Sequence, residues 1–365
     1  IVGTYYDGRS YKDVAVQGKY AYMGGLTIVD VSDPSHPKEV SNLEIQGESI
    51  IRLAVSGSYA YLAGTGTYHS SLWIVNISDP LNPVIVGKFP CPTERGYSAV
   101  AIKGNYAFAV VYHHGVSAID VSDPSNPKEV GFIGDKSKLG VFPASDIFIE
   151  GNYAYVSTRY EGFRIIDISD PTNMSLVSKW SGAGAGFAGY AEDIQVENNH
   201  VYLMVHDEGW GIINVTDKKN PKLEFRGQPI GRTKHIKVRE NYAYVTTDDG
   251  LLVLNVSMPS NPKLEGILSM GIRCSGIALQ GNYAYLGGSW GGLIIVDISD
   301  PSNPKKVGEY GAFIGSVAVD GNYAYVARIT QISEPRKCGL DIVNVSDPSN
   351  PTLVGRYEIE SEGVS

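Results

Sequence analysis

Apolar and polar positions alternate along this chain in short bursts rather than in helical stripes. The opening residues read DVAVQ at 13–17, YAYMG at 20–24, LTIVDV at 26–31 and EVSNLEI at 39–45. Each burst has a period near two, is rich in Val, Ile and Tyr, and is bounded by Gly, Pro, Asn or Asp, which predicts four short β-strands. The first two are separated by Gly-Lys, and in most later copies by Gly-Asn. That is a hairpin signal, because both residue types tolerate positive φ. The third and fourth are joined by segments such as SDPSNP, where proline presets φ for a turn and blocks strand pairing. A long helical pattern is nowhere visible.

The pattern then repeats. The first aromatic of each YAY-type strand falls at Tyr20, Tyr59, Tyr106, Tyr153, His200, Tyr242, Tyr283 and Tyr323, spaced 39 to 47 residues apart. A second marker follows each one, from VDVSDPSHP at 29–37 to VNVSDPSNP at 343–351. The two series interleave strictly, so one four-stranded unit is written eight times. A single small sheet cannot bury both faces, and stacking neighbours solves this, hence the same apolar residues at every interface. The expected fold is all-β: an eight-bladed β-propeller of four-stranded antiparallel blades, with residues 1–365 forming one domain. The 24 tyrosines fit that plan. Fourteen lie in the YAY-type strands, where flat rings suit packing between blades and the hydroxyl can sit at an edge.

The strand-and-turn segments GLTIVDVSDP, GFRIIDISDP, GLIIVDISDP and GLDIVNVSDP resemble the LVIVD-repeat family over nearly the whole chain. The resemblance implies a propeller of the kind found in bacterial and archaeal cell-surface proteins, with no agreed activity and no catalytic set. Blades five and six depart from the turn pattern, with TDKKNP and SMPSNP. At the ends, IVGTYYDG (1–8) resembles LVGRYEIE (353–360), so the chain holds nine copies of the outer strand. Either copy can close the last blade. The other then becomes an edge strand open to pairing with another chain, unless the chain is cut from a longer array.

Composition narrows the function classes. A formal net charge of −9 and a charged fraction of 19% leave no basic footprint for nucleic acid. No apolar run approaches the length of a membrane-spanning helix. The sequence starts at Ile1 without an apolar leader, so a targeting segment is expected to have been removed or never included. Cys91, Cys274 and Cys338 form neither a disulfide framework nor a CxxC pair. Cys274 and Cys338 fall on neighbouring blades; separate thiols are the expected state and a bridge the alternative.

In a four-stranded meander, the 1–2 and 3–4 connections share one face and the 2–3 and 4–1 connections the other. Here the first pair are the uniform GN and SDPxNP turns, while the second vary in length and chemistry. Variable loops are where binding residues concentrate. The variable face carries the candidate binding residues Arg52, His69, His113, His114, Tyr160, His206, Trp210, His235 and Trp290. His206, Asp207, Glu208 and Asp248, with His235 and Asp249 in the same sector, have donor types for a divalent metal such as calcium. The plainer reading of Asp249-Gly250 and His114-Gly115 is turn chemistry, and no cofactor is required.

Catalysis would use the starts of the innermost strands, where Lys12, Asp13, Arg52, Asp146, Glu192, Asp193, Lys234, His235 and Arg273 ring the channel mouth. Glu192 and Asp193 invite an acid–base reading, but neighbours on a regular strand point to opposite faces. No GxSxG, HExxH or P-loop spacing is present. Of five N-x-S/T sequons, four place Asn at the end of strand three, where it satisfies turn backbone, leaving Asn173 as the glycan acceptor. The expected function is a non-catalytic extracellular or cell-surface module. It would bind a protein or surface glycan, or self-assemble through an edge strand. The alternatives are an enzyme acting on polysaccharide or a small substrate at the channel mouth, and a metal- or small-ligand-binding propeller.

Overall fold

In this computed structural model the described residues are 14–23, 26–32, 38–43, 45, 48–65, 70–137, 144–158, 162–181, 191–205, 209–228, 235–288, 292–311, 314–329 and 337–360. They form thirty-two strands, β1 to β32 in chain order, grouped as eight separate four-stranded antiparallel sheets. The only helical element among them is a single 3-10 turn, Pro171–Asn173. Each sheet is one blade, and each blade is one continuous stretch of chain.

The innermost strands are β1 (Val14–Gln17), β5 (Ser49–Ser56), β9 (Tyr97–Lys103), β13 (Ala144–Glu150), β17 (Ala191–Glu197), β21 (Ile236–Arg239), β25 (Cys274–Gln280) and β29 (Ile314–Asp320). Each touches the next, and β29 touches β1, so the ring is closed. The core is not one mass but eight apolar clusters, one for each pair of adjacent blades. The seam between the last and first blades is Ala21, Val29 and Val31 against Tyr325, Leu340 and Ile342. The second aromatic of the YAY strand is buried in most blades: Tyr22, Tyr61, Tyr155, Tyr202, Tyr244, Tyr285 and Tyr325. Each such ring fills an interface, and full burial of one large apolar side chain contributes about 1.5–3 kcal/mol.

The constant turns are explained by their own side chains. At the end of strand three, the Oδ1 atoms of Asp30, Asn76, Asp120, Asp167, Asn214, Asn255, Asp297 and Asn344 accept the N–H two residues on, at 2.8–3.1 Å. Asp and Asn are therefore equivalent there, which accounts for four of the five sequons as turn chemistry. Asn173 stands apart on the exposed side of its turn.

A second repeated contact sets the spacing between blades. Gly87 and Gly308, in the outer strands of blades two and seven, lie so near the next blade's turn that a Cβ would stand 1.9 Å from Pro124 O and 2.0 Å from Pro348 O. In blades one and four a serine takes this place. Ser41 Oγ and Ser178 Oγ donate to the carbonyls of Pro80 and Lys218, at 2.8 and 2.7 Å.

The closing blade takes all its strands from residues 314–360: β29, β30 (Tyr323–Ile329), β31 (Lys337–Asn344) and β32 (Thr352–Glu360). The C-terminal copy of the outer strand thus fills that place. Residues 1–8 lie outside the described residues.

Candidate functional site

The two faces separate as the repeat geometry predicts. The 3–4 turns bond to the 1–2 turns: Ile77 N donates to Ser58 O and Val121 N to Asn105 O. On the other side, 2–3 loops bond to 4–1 loops. Cys91 N donates to Ser70 O, Asp135 N to His114 O, and Cys274 N to Thr247 O.

Several aromatic and ionisable residues expected on the variable face serve the fold instead. Trp210 is not in a loop. It lies in the third strand of blade five, Gly209–Asn214, only 3% exposed and packed against Phe225 at 4.9 Å. Three rings, Tyr202, Trp210 and Phe225, pack in that interface, and the indole takes the place that Leu, Val or Phe holds in the other blades. Trp180, in the outer strand Ser175–Trp180, is likewise buried, stacked on Phe163 at 5.5 Å. His114 is buried, with Nδ1 3.0 Å from Asp135 O, and holds a 2–3 loop to its neighbour. His113 occupies the left-handed region at φ 64° and stacks edge-on against Tyr112. Asp248 Oδ1 sits 2.9 Å from Arg273 Nε, an ion pair between neighbouring loops.

His69, Tyr160, His206, Asp207, Glu208 and Trp290 lie outside the described residues. Among the described residues no three His, Cys, Asp or Glu side chains converge as a metal ion would need. Cys91 and Cys274 are free thiols; burial pushes that of Cys274 up to about 12, and the side chain of Cys338 lies outside the described residues.

What remains is the mouth of the channel. At the start of the innermost strand the register slips by one residue in six blades: between Ile50 and Arg52, Tyr97 and Ala99, Ala144 and Asp146, Ala191 and Asp193, Cys274 and Gly276, and Ile314 and Ser316. A bulge of this kind re-aims the next side chain and recurs beside functional sites. Glu192 is the extra residue in blade five, so strand alternation does not govern its relation to Asp193. The residue after the bulge, seven before the YAY aromatic, is Arg52, Ala99, Asp146, Asp193, Gly276 or Ser316, and His235 holds the same place in blade six.

Four of these form a polar arc across blades two to six. Asp193 bridges two blades. Its Oδ1 accepts Ile194 N at 2.9 Å, its Oδ2 accepts Ile236 N at 3.1 Å, and that oxygen lies 3.5 Å from His235 Nδ1. Asp146 accepts Ile147 N at 2.8 Å through Oδ1. Burial raises its pKa above the ordinary carboxylate value, and Asp193 adds to the rise, while Arg52 and Lys237 oppose it. Arg52 and Lys237 are exposed, so cations and carboxylates face one opening. Such a mouth suits a polar ligand with both hydrogen-bond donors and acceptors. The mouth positions were readable by counting back from each YAY strand; the bulge that re-aims them was not.

The family described as LVIVD repeat matches residues 8–44, 50–90, 96–134, 143–181, 188–227, 230–269, 273–312 and 314–359. No curated protein matches the sequence. Among solved structures, Saccharomyces cerevisiae Sqt1 is similar with a TM-score of 0.69 at 9% identity, covering 94% of this chain and 93% of that one. The computationally designed Ika8 protein gives 0.67 at 9% identity, covering 86% and 92%. Citrobacter koseri AztD gives 0.56 at 12% identity, covering 94% and 92%. At such identities the likeness is one of fold alone. No helix among the described residues is long and apolar enough to cross a membrane.

Proposed function

Because the chain belongs to the LVIVD-repeat family, whose repeats build its entire ring, we propose that it is a non-catalytic binding module of the cell surface or extracellular space. Its site is the channel mouth on the variable face, and its ligand is a surface glycan or a polar loop of a partner protein. One observation carries this reading. The ring accepts Ala99, Gly276 and Ser316 at the position after the bulge, yet blades two, four, five and six place Arg52, Asp146, Asp193 and His235 there. The architecture does not require those charges. Burial also disfavours the ionised form of Asp146, so the group costs stability, and such departures concentrate at functional sites.

The test is binding of the purified protein to cell-envelope material from the organism that makes it, and to glycan and peptide arrays. Saturable binding is expected, weakened about tenfold or more by Arg52→Ala or His235→Ala, since loss of one charged hydrogen bond costs roughly that much. Ser125→Ala on the opposite face leaves it unchanged. Binding that ignores the mouth variants, or no binding to either material, would overturn the proposal.

A second reading, hydrolysis of a polysaccharide, draws on two carboxylates of unlike environment in one mouth. Asp146 has a raised pKa that suits an acid, while Asp193 accepts two backbone N–H groups. Release of reducing ends that Asp146→Asn abolishes would favour it over simple binding.

A further inference from the structure

At one position of its third strand the closing blade carries a buried carboxylate where the other blades have none. At the third residue of the GLxIVD-type strand the eight blades carry Thr27, Trp73, Ser117, Arg164, Gly211, Leu252, Ile294 and Asp341. Asp341 is 0% exposed. Its cross-strand partner in β32 is Arg356, whose Nε lies 2.8 Å from Oδ1 and Nη2 3.0 Å from Oδ2. Tyr310 of blade seven donates its hydroxyl proton to Oδ2 at 2.9 Å and accepts from Arg356 Nη2 at 2.8 Å. A two-point guanidinium–carboxylate pair is strongly directional, and a buried carboxylate that loses its cation is costly.

The sequence offers two strands for the place beside β31. Aligned on the shared glycine, IVGTYYDG sets Ile1, Val2, Gly3 and Thr4 against Leu353, Val354, Gly355 and Arg356. Both copies keep the glycine that, in blades two and seven, allows close approach to the neighbouring turn. Five residues (9–13) separate Gly8 from β1, against the four (270–273) between the outer strand Lys263–Ser269 and β25. The N-terminal copy thus has the connecting length of a strand that precedes blade one, and blade eight is blade one's neighbour. It differs at the residue that faces Asp341, where it offers Thr4.

We propose that Asp341 makes the last place in blade eight a strand-selecting site, which admits the C-terminal copy through Arg356 and rejects residues 1–8 of the same chain. The selection is electrostatic. Both copies are apolar enough and carry the required glycine, but only one brings a guanidinium to the carboxylate.

Hydrogen–deuterium exchange on the full chain reads both segments at once. In Arg356→Thr, amides of 352–360 should exchange about tenfold faster or more, because protection tracks local opening. In the double variant Arg356→Thr with Thr4→Arg, residues 1–8 should become protected by a similar factor while 352–360 stays fast. Unchanged exchange at 352–360 in the single variant, or no gain at 1–8 in the double variant, overturns the proposal. Should loss of the cation prevent folding, the same arginine placements are repeated with Asp341→Leu, which removes the buried charge. Exchange of the two segments should then no longer depend on where the arginine sits. A persistent dependence would show that Asp341 is not the selector.

Discussion

Asp193 and His235 stand at the same step of successive blades, and Asp193 holds the pair together: its Oδ2 is 3.5 Å from His235 Nδ1 and accepts Ile236 N at 3.1 Å. One carboxylate thus ties blade five to blade six at the channel mouth while also closing its own strand through Ile194 N.

Asp193→Ala removes the acceptor for both of those N–H groups. Loss of about 1–3 kcal/mol is expected in urea unfolding, the range for partly buried donors stripped of a partner. Asp193→Asn retains an acceptor oxygen and should fall between the two.

Asp146→Asn should act in the opposite direction. The folded-state pKa of Asp146 is raised by burial, so the folded protein holds this proton more tightly than the unfolded chain. That contribution is fully present below the unfolded value near 3.9 and is lost as pH rises through the folded value. At pH 7 the ionised group therefore costs stability. The variant should show a higher Tm than the parent at pH 7, with the advantage disappearing below about pH 4.

The turn aspartates make the protein acid-sensitive. Side-chain and backbone hydrogen bonds from Ser122, Ser169 and Ser299 hold Asp120, Asp167 and Asp297 below the usual carboxylate range. Stabilisation from a lowered pKa is present above the unfolded value near 3.9 and is lost as pH falls through the folded one. Four blades already use asparagine at this place. The triple variant Asp120→Asn, Asp167→Asn, Asp297→Asn should match the parent closely at pH 7 and lose less urea resistance at pH 3.

Gly87→Ala tests the spacing of the ring. The added Cβ would meet Pro124 O at 1.9 Å, a backbone atom that moves only with the turn of the next blade. Destabilisation of about 1–3 kcal/mol is expected in chemical denaturation, the usual range for overpacking. A value near zero would mean that the turn yields freely.

Blade number, strand order and the division into a uniform and a variable face were legible because they follow from local turn chemistry and a strict period. The failures share one cause. Trp210 was assigned to a loop because it stands between two glycines and follows the charged pair Asp207-Glu208. Strand three begins earlier than the glycine suggests, and large rings are needed to fill the wedge between blades. Glu192 and Asp193 were judged by regular alternation, which a one-residue bulge suspends. The pairing of Asp341 with Arg356 lay in plain view as a departure from the repeat, but only cross-strand register brings the two together.

Each blade is an unbroken stretch of chain, and among the described residues the last meets the first through an apolar side-chain cluster, without an exchanged strand. A ring so built can change its membership by whole units: duplicating or deleting one gene segment inserts or removes a blade without rethreading its neighbours. The tenant of the mouth can then be altered one blade at a time, since separate units bring Arg52, Asp146, Asp193 and His235 to that rim.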